Sequence, residues 1–316
     1  KIGLFCNVKK ENVIENKTVD ILYEVPLMLE KEGLADAVCK KLCLSNNKVN
    51  NNSWEKLIEK IKSINCGKEK KINIAIVGKY TKLEDSYLSV IESIKHAGYS
   101  NCINVNIELV DSQKITNKNS KEILSKYNGI IVPGGFGNRG IDGMIEAIKY
   151  VRENKIPFLG ICLGMQMAVI EFAKDVLKLE DVNSEEIEKR SKNPVIHIME
   201  EQKKIDKKGG TMRLGAYPCK LKLNSYVYKI YEKEEISERH RHRFEYNNKY
   251  REMMEKEGLK IVGTSPDNKL VEILELEKEK HPFFVASQFH PEFKSRPDKP
   301  HPLFVEFIKQ SKITKN

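Results

Sequence analysis

From Ile72 onward, short apolar runs alternate with stretches whose apolar residues recur at helical spacing, and this alternation constrains the fold more than any other feature. "INIAIVGKY" (72–80), "INVNIELVDS" (103–112), "GIIVPGG" (129–135) and "IPFLGIC" (156–162) read as strands. Between them, "EDSYLSVIESIKHAG" (84–98) carries Tyr87, Ile91 and Ile94 on one stripe and Val90, Ile94 and Ala97 on the next, with Gly98 expected to close the helix. "GMIEAIKYVRENK" (143–155) reads as a second helix. Repeated strand–helix units predict an α/β fold with a doubly wound, mostly parallel sheet whose ligands bind at the carboxyl ends of the strands. Shorter, more polar strands follow in "YPCKLKL" (217–223), "LKIVGTS" (259–265), "LVEILEL" (270–276) and "FFVASQF" (283–289), expected to add antiparallel strands, before a terminal helix "PLFVEFIKQ" (302–310). There is no internal repeat.

Ahead of Ile72 the pattern differs. "KIGLFCNV" (1–8) reads as a strand and residues 21–44 as a helical pattern interrupted by Pro26, little material for an independent domain. Residues 45–71 begin with an asparagine-rich tract and continue as a polar helix, the composition of a linker. The chain starts without methionine on a strand-like segment, which suggests a fragment whose beginning lies elsewhere.

With 316 residues, 40% hydrophobic and 32% charged, the chain can bury a sizeable core. No apolar stretch approaches the roughly 20 residues of a membrane helix, and no secretory h-region opens the chain, so a cytoplasmic protein without a membrane partner is expected. Seven unclustered cysteines without a C-x-x-C pair indicate neither a disulfide framework nor a zinc site. No metal is expected, and the thiols are expected to be reduced. The formal charge of +10 comes from lysines spread along helices and loops, which favours a solvated basic surface over nucleic-acid binding.

One cysteine stands apart. Gly160-Ile161-Cys162-Leu163-Gly164 has the G-x-S-x-G spacing of a nucleophile elbow, with sulfur for oxygen, a strand before it and a helix after it. Glycines flank such a residue because a β-carbon there would strike the neighbouring strand or helix, and a helix N-terminus favours the thiolate. Alone, the pentapeptide fits a buried structural cysteine about equally well. "VASQFHPEF" (285–293) supplies the base: His290 ends an apolar strand, and Glu292, two residues on, is placed by an extended backbone on the same side, where it would fix the imidazole tautomer. The other His-Pro dipeptides, at 281 and 301, lack this setting. In "IIVPGGFGNRG" (130–140) a strand runs into glycines, and the amides of Gly135 and Leu163 would form an oxyanion hole. The same loop matches G-x-G-x-x-G, but on an internal strand with no ribose acid after the next one; "GKYT" (78–81) lacks the glycine and hydroxyl residue of a phosphate loop.

With Pro-Gly-Gly, Gly-x-Cys-x-Gly-x-Gln and His-Pro-Glu in that order, the chain resembles the class I (triad) glutamine amidotransferases, flavodoxin-like in fold. Within them, "GGTMRLG" (209–215), "ERHRHRFE" (238–245), "SRPDKPHPLF" (295–304), "GKYTKLEDSY" (78–87) and "NSEE" (183–186) are similar to the CTP synthases. The resemblance covers 72–312, and 1–44 resemble the tail of that family's synthetase (amidoligase) domain, although Ile21 stands where a serine is common. It implies three segments: the tail over 1–44, a linker and helix over 45–71, and a glutaminase domain over 72–316. It further implies hydrolysis of L-glutamine to glutamate and ammonia by Cys162, His290 and Glu292, the ammonia feeding ATP-dependent amination of UTP to CTP. Substrate contacts would fall on Gly135, Leu163, Gly164, Met165, Gln166, Glu186 and Arg243; Glu186 suits the ammonium of free glutamine and Arg243 its carboxylate. The glutaminase half would need no cofactor. Mg and ATP would belong to the synthetase domain, GTP would act as an allosteric activator near "GGTMRLG", and the full-length protein would be a homo-oligomer. Two other readings are a glutaminase serving another biosynthetic complex and a mainly structural, filament-forming module.

Overall fold

A computed structural model describes residues 1–45, 50–66, 71–198 and 212–313, without the side chains of Cys66 and Glu84. Its contacts divide into two units, Lys1–Lys68 and Glu69–Asn316.

The first unit is helical. Residues Ile2–Phe5 form a single helical turn rather than the expected strand: the Phe5 and Cys6 amides bond the Lys1 and Ile2 carbonyls at 3.0 and 2.9 Å, and among the described residues this unit contains no strand to pair with. Helix α1 (Val25–Lys31) takes Pro26 in its first turn, where the missing N–H has no helical acceptor to lose. Gly33 turns the chain at φ +83° into α2 (Leu34–Lys41), and α3 spans Asn52–Cys66. The Trp54 indole donates to the Tyr23 carbonyl at 2.7 Å.

In the second unit the strands are β1 (Lys71–Gly78), β2 (Asn104–Asp111), β3 (Gly129–Val132), β4 (Phe158–Ile161), β5 (Val182–Ser184), β6 (Asn193–Ile198), β7 (Arg213–Leu221), β8 (Glu235–His242), β9 (Phe244–Tyr246), β10 (Leu259–Thr264), β11 (Val271–Leu276) and β12 (Phe284–Ser287). Nine of them form one sheet in the order β2-β1-β3-β4-β12-β11-β10-β7-β8. The pairs from β2 to β12 are parallel and those from β12 to β8 antiparallel, while β5, β6 and β9 form a second small sheet. The α/β expectation of a mostly parallel sheet extended by antiparallel strands is met.

Alternate residues of the parallel strands feed opposite faces. Ile74, Ile76, Ile131 and Leu159 pack with Val90, Ile94 and Ala97 of α4 (Leu88–Ser100) and Phe304 and Phe307 of α9 (Pro302–Ile313). Ala75, Val77, Ile130, Val132 and Phe158 pack with Met144 and Ile148 of α5 (Ile141–Glu153) and Ala168 and Phe172 of α6 (Leu163–Asp175). Two shorter helices, α7 (Tyr226–Tyr231) and α8 (Arg251–Glu257), lie in the second half. Gly98 does not close α4, which runs on to Ser100; a Cβ at 98 would lie 2.9 Å from Val105 Cγ2, so the glycine serves the close approach of helix to β2.

Candidate active site

Because β3, β4 and β12 are neighbours running the same way, their carboxyl ends emerge side by side. β3 delivers Pro133-Gly134-Gly135, β4 delivers Cys162, and β12 delivers Gln288, Phe289 and His290.

Cys162 sits between β4 and α6 at φ 52°, ψ −100°, a strained backbone for a residue with a side chain. Its amide donates to Ser287 O at 2.7 Å, which ties the turn to β12. Both flanking glycines are required sterically. A Cβ at Gly164 would stand 2.0 Å from the Val132 carbonyl oxygen, and one at Gly160 would stand 2.9 Å from Ala286 Cβ and 3.0 Å from the Gly164 backbone. The elbow therefore fits only by pressing α6 against β3. Leu163 opens α6, so its N–H has no acceptor within the helix.

His290 Nδ1 and Glu292 Oε1 are 2.7 Å apart, both side chains nearly buried. They do not meet across an extended strand: Pro291 starts a 3-10 turn, Pro291–Lys294, which curls Glu292 back beneath the ring. Phe293 stacks on the imidazole with centroids 5.0 Å apart. His290 Nε2 is buried with no hydrogen-bond partner among the described residues. Burial opposes charge on this ring, but the Cys162 sulfur and the Glu292 carboxylate outweigh it and push its pKa up to about 10. Gly134 lies between the two reactive groups: a Cβ there would be 2.8 Å from His290 Cε1 and 3.6 Å from Cys162 Cβ. The His290 ring and Cys162 thus flank one position where a Cβ would crowd the imidazole.

Cys162 opens on two clefts. One, of about 300 Å³, is lined by Gly135, Gln166, Glu186, Arg241 and Arg243 among others. The second, of about 250 Å³, holds His290, Glu292, Tyr80 and Phe293.

Residues 82–310 match the family described as glutamine amidotransferase class-I, and residues 1–44 match the CTP synthase N-terminus. The chain belongs to the class-I glutamine amidotransferases. Within that family it is of the CTP synthase kind. The CTP synthase of Clostridium kluyveri is 55% identical over 316 residues, 100% of this chain and 58% of that protein. The CTP synthase of Halalkalibacterium halodurans is 53% identical over 311 residues, 98% of this chain and 57% of that protein. The solved Trypanosoma brucei CTPS glutaminase domain with bound acivicin is 38% identical at a TM-score of 0.71, covering 78% of this chain and 95% of that one. The chain thus spans little more than half the length of the curated relatives it matches.

In this amidotransferase the residues assigned from the motifs divide into three groups, of which His290 and Glu292 line the second cleft. Gly135, Cys162, Gln166, Glu186 and Arg243 line one cleft. Leu163, Gly164 and Met165 do not line it with side chains; Met165 is wholly buried in the core and Gly164 lies against Val132. The Arg239–Arg243 cluster resolves by strand period: His240 and His242 point inward from β8, Arg239 and Arg241 outward, and Arg243 follows the strand end. The two histidines bond each other, Nδ1 of His240 to Nε2 of His242, at 2.8 Å. Burial, with help from Arg213, pushes their pKa values down to about 2 and about 3, so the pair is neutral. Among the described residues no cluster suits a metal ion, and no helix is long and apolar enough to cross a membrane. Residues 209–211 of "GGTMRLG" lie outside the described residues; Met212 lines the first cleft.

Lys79 is a functional candidate that motif reading passed over. It follows β1, is almost fully buried, and donates from Nζ to the carbonyls of Phe136 and Gly137 at 3.2 and 2.7 Å. Arg139 closes the tie by donating to Lys79 O at 2.7 Å. Burial pushes the Lys79 pKa down to about 8, the charge of Glu186 pulling the other way. The only sequence signal was a lysine directly after a buried strand.

Proposed function

We propose that this chain hydrolyses L-glutamine to glutamate and ammonia, with Cys162 as nucleophile, His290 as proton carrier and Glu292 as the carboxylate that orients it. The observation that carries the reading is the His290–Glu292 pair at the end of β12, facing Cys162 at the end of neighbouring β4 across Gly134. The raised pKa of His290 suits an imidazole that carries its proton at neutral pH, ready to hand it to a departing nitrogen.

The thiolate adds to the carboxamide carbon, and the oxygen that becomes negative rests on the amides of Gly135 and Leu163. His290 Nε2 hands its proton to the nitrogen, the C–N bond breaks, and ammonia leaves a γ-glutamyl thioester. Water, deprotonated by the now neutral His290, attacks the thioester and the C–S bond breaks; the imidazolium and thiolate are restored, and the released acid gives its proton to solvent as glutamate departs. Glu186 and Arg243, in the same cleft as Cys162, would take the ammonium and carboxylate of the substrate.

In the full-length protein the ammonia would pass to an ATP- and Mg-dependent synthetase domain that aminates UTP to CTP, with residues 1–44 as the tail of that domain, 45–71 as linker and helix, and 72–316 as the glutaminase. GTP activation, homo-oligomer assembly and a cytoplasmic site belong to this proposal. It is tested by Cys162→Ala, which should abolish glutamate release while the chain still folds and melts in a cooperative transition; retained turnover refutes the assignment. CTP formation on adding the matching synthetase domain tests the acceptor.

A further inference from the structure

We propose that Gln288 is a catalytic residue that donates a hydrogen bond to the Cys162 sulfur and holds it as a thiolate, its orientation dictated by a backbone carbonyl through Gln166. This deepens the glutaminase reading and rests on it.

Gln288 is fully buried two residues before His290, its backbone amide fixed to Glu272 O at 2.8 Å. Its side-chain Nε2 lies 3.7 Å from Cys162 Sγ, within N–H···S range. An amide's nitrogen and oxygen are told apart by their partners, and here the partners leave one choice. The Phe244 carbonyl only accepts, so Gln166 must turn its NH2 group toward it, at 3.2 Å. The second N–H of that group meets the Gln288 carboxamide at 3.3 Å, so Gln288 presents its oxygen there. The Gln288 NH2 group is thereby left facing the sulfur.

The consequence is chemical. A thiol sulfur accepts hydrogen bonds weakly and a thiolate accepts them strongly, so a fixed donor favours ionisation. Both amides are buried, so water does not compete for the bond. Unlike His290, Gln288 has no proton to lose, and its support for the thiolate persists at every pH at which the protein is folded. Gln166, with both N–H groups committed, offers the substrate cleft only its carbonyl oxygen, which selects an N–H donor of the ligand.

The test uses Gln288→Leu, which keeps the bulk and removes the donor, and Gln288→Glu, which puts an acceptor beside the sulfur. The readout is the pH dependence of iodoacetamide alkylation at Cys162, followed by mass spectrometry of its peptide so that the other cysteines do not interfere, with glutamate release measured in parallel. The alkylation midpoint should rise by about one to two pH units in Gln288→Leu and further in Gln288→Glu. The kcat should fall about 10- to 100-fold while KM changes less than about threefold. Should Gln288→Leu not fold, Gln288→Glu carries the same comparison. An unchanged midpoint in a folded variant overturns the role of Gln288. Absence of glutamate release from the parent chain overturns the glutaminase reading instead, since alkylation reads the thiolate without requiring turnover.

Discussion

Replacing Gly134 by alanine tests whether the triad is set by sterics. The new Cβ would stand 2.8 Å from His290 Cε1, against an ordinary carbon–carbon contact of about 3.5 Å. The imidazole must therefore retreat by about 0.7 Å, or the glycine loop must move. Neither is free: the ring is bonded to Glu292 at 2.7 Å and stacked on Phe293, while the loop is tied by Lys79 to the carbonyls of Phe136 and Gly137. Overpacking of this kind costs about 1–3 kcal/mol. For a unit of this size that is a fall in melting temperature of about 2–4 °C per kcal/mol. A misplacement approaching 1 Å at reacting groups costs about 100-fold in rate. Gly135→Ala is the matched control. Its Cβ would meet only the ends of side chains, Leu163 Cδ2 at 3.3 Å and Lys79 Cε at 3.5 Å, which can give way without moving the backbone amide. Glutamate release and thermal melting of the two variants give the comparison: Gly134→Ala down about 100-fold, Gly135→Ala within about tenfold of the parent. Equal losses in both, or full activity in Gly134→Ala, would refute the steric account.

Two further outcomes are expected. Lys79→Met should lower glutamate release by about tenfold or more through loss of the loop tie, yet leave the melting temperature unchanged or raised, because it removes a buried cation whose charge the fold disfavours; a large loss of stability with normal kinetics would contradict this. His290 is held at about 10, above its ordinary value of 6.5, so the stability from protonating it is complete below pH 6.5 and is lost as pH rises through about 10. Cys162→Ala removes the sulfur that sustains this shift, and melting curves over pH 6.5–10 should be flatter for the variant than for the parent; parallel curves would count against the coupling.

The inner parallel strands β1, β3, β4 and β12 were legible because they are buried on both faces and write themselves as apolar runs, while the edge strand β2 shows as an alternation. Strand β8 is not announced by an apolar run, since three of the four residues on the face it buries are Glu238, His240 and His242 and only Ile236 is aliphatic. Strands β5, β6 and β9 escaped because three to six partly buried residues leave little periodic signal. The apolar start of the chain misled in the other direction, as a strand needs a partner whose identity no local pattern records.

The sequence alone determined which groups are on offer for the proposed chemistry: a cysteine between two glycines, a histidine after an apolar strand and a glutamate two residues on. These are properties of side chains and local turns, written where they occur. Tertiary structure alone decided that β4 and β12 lie side by side, that Gly134 is the crowded position, and that Lys79 and Gln288 reach into the site. Each of those facts depends on which distant strands pair, and pairing is settled by burial summed over the whole sheet rather than by any stretch of residues.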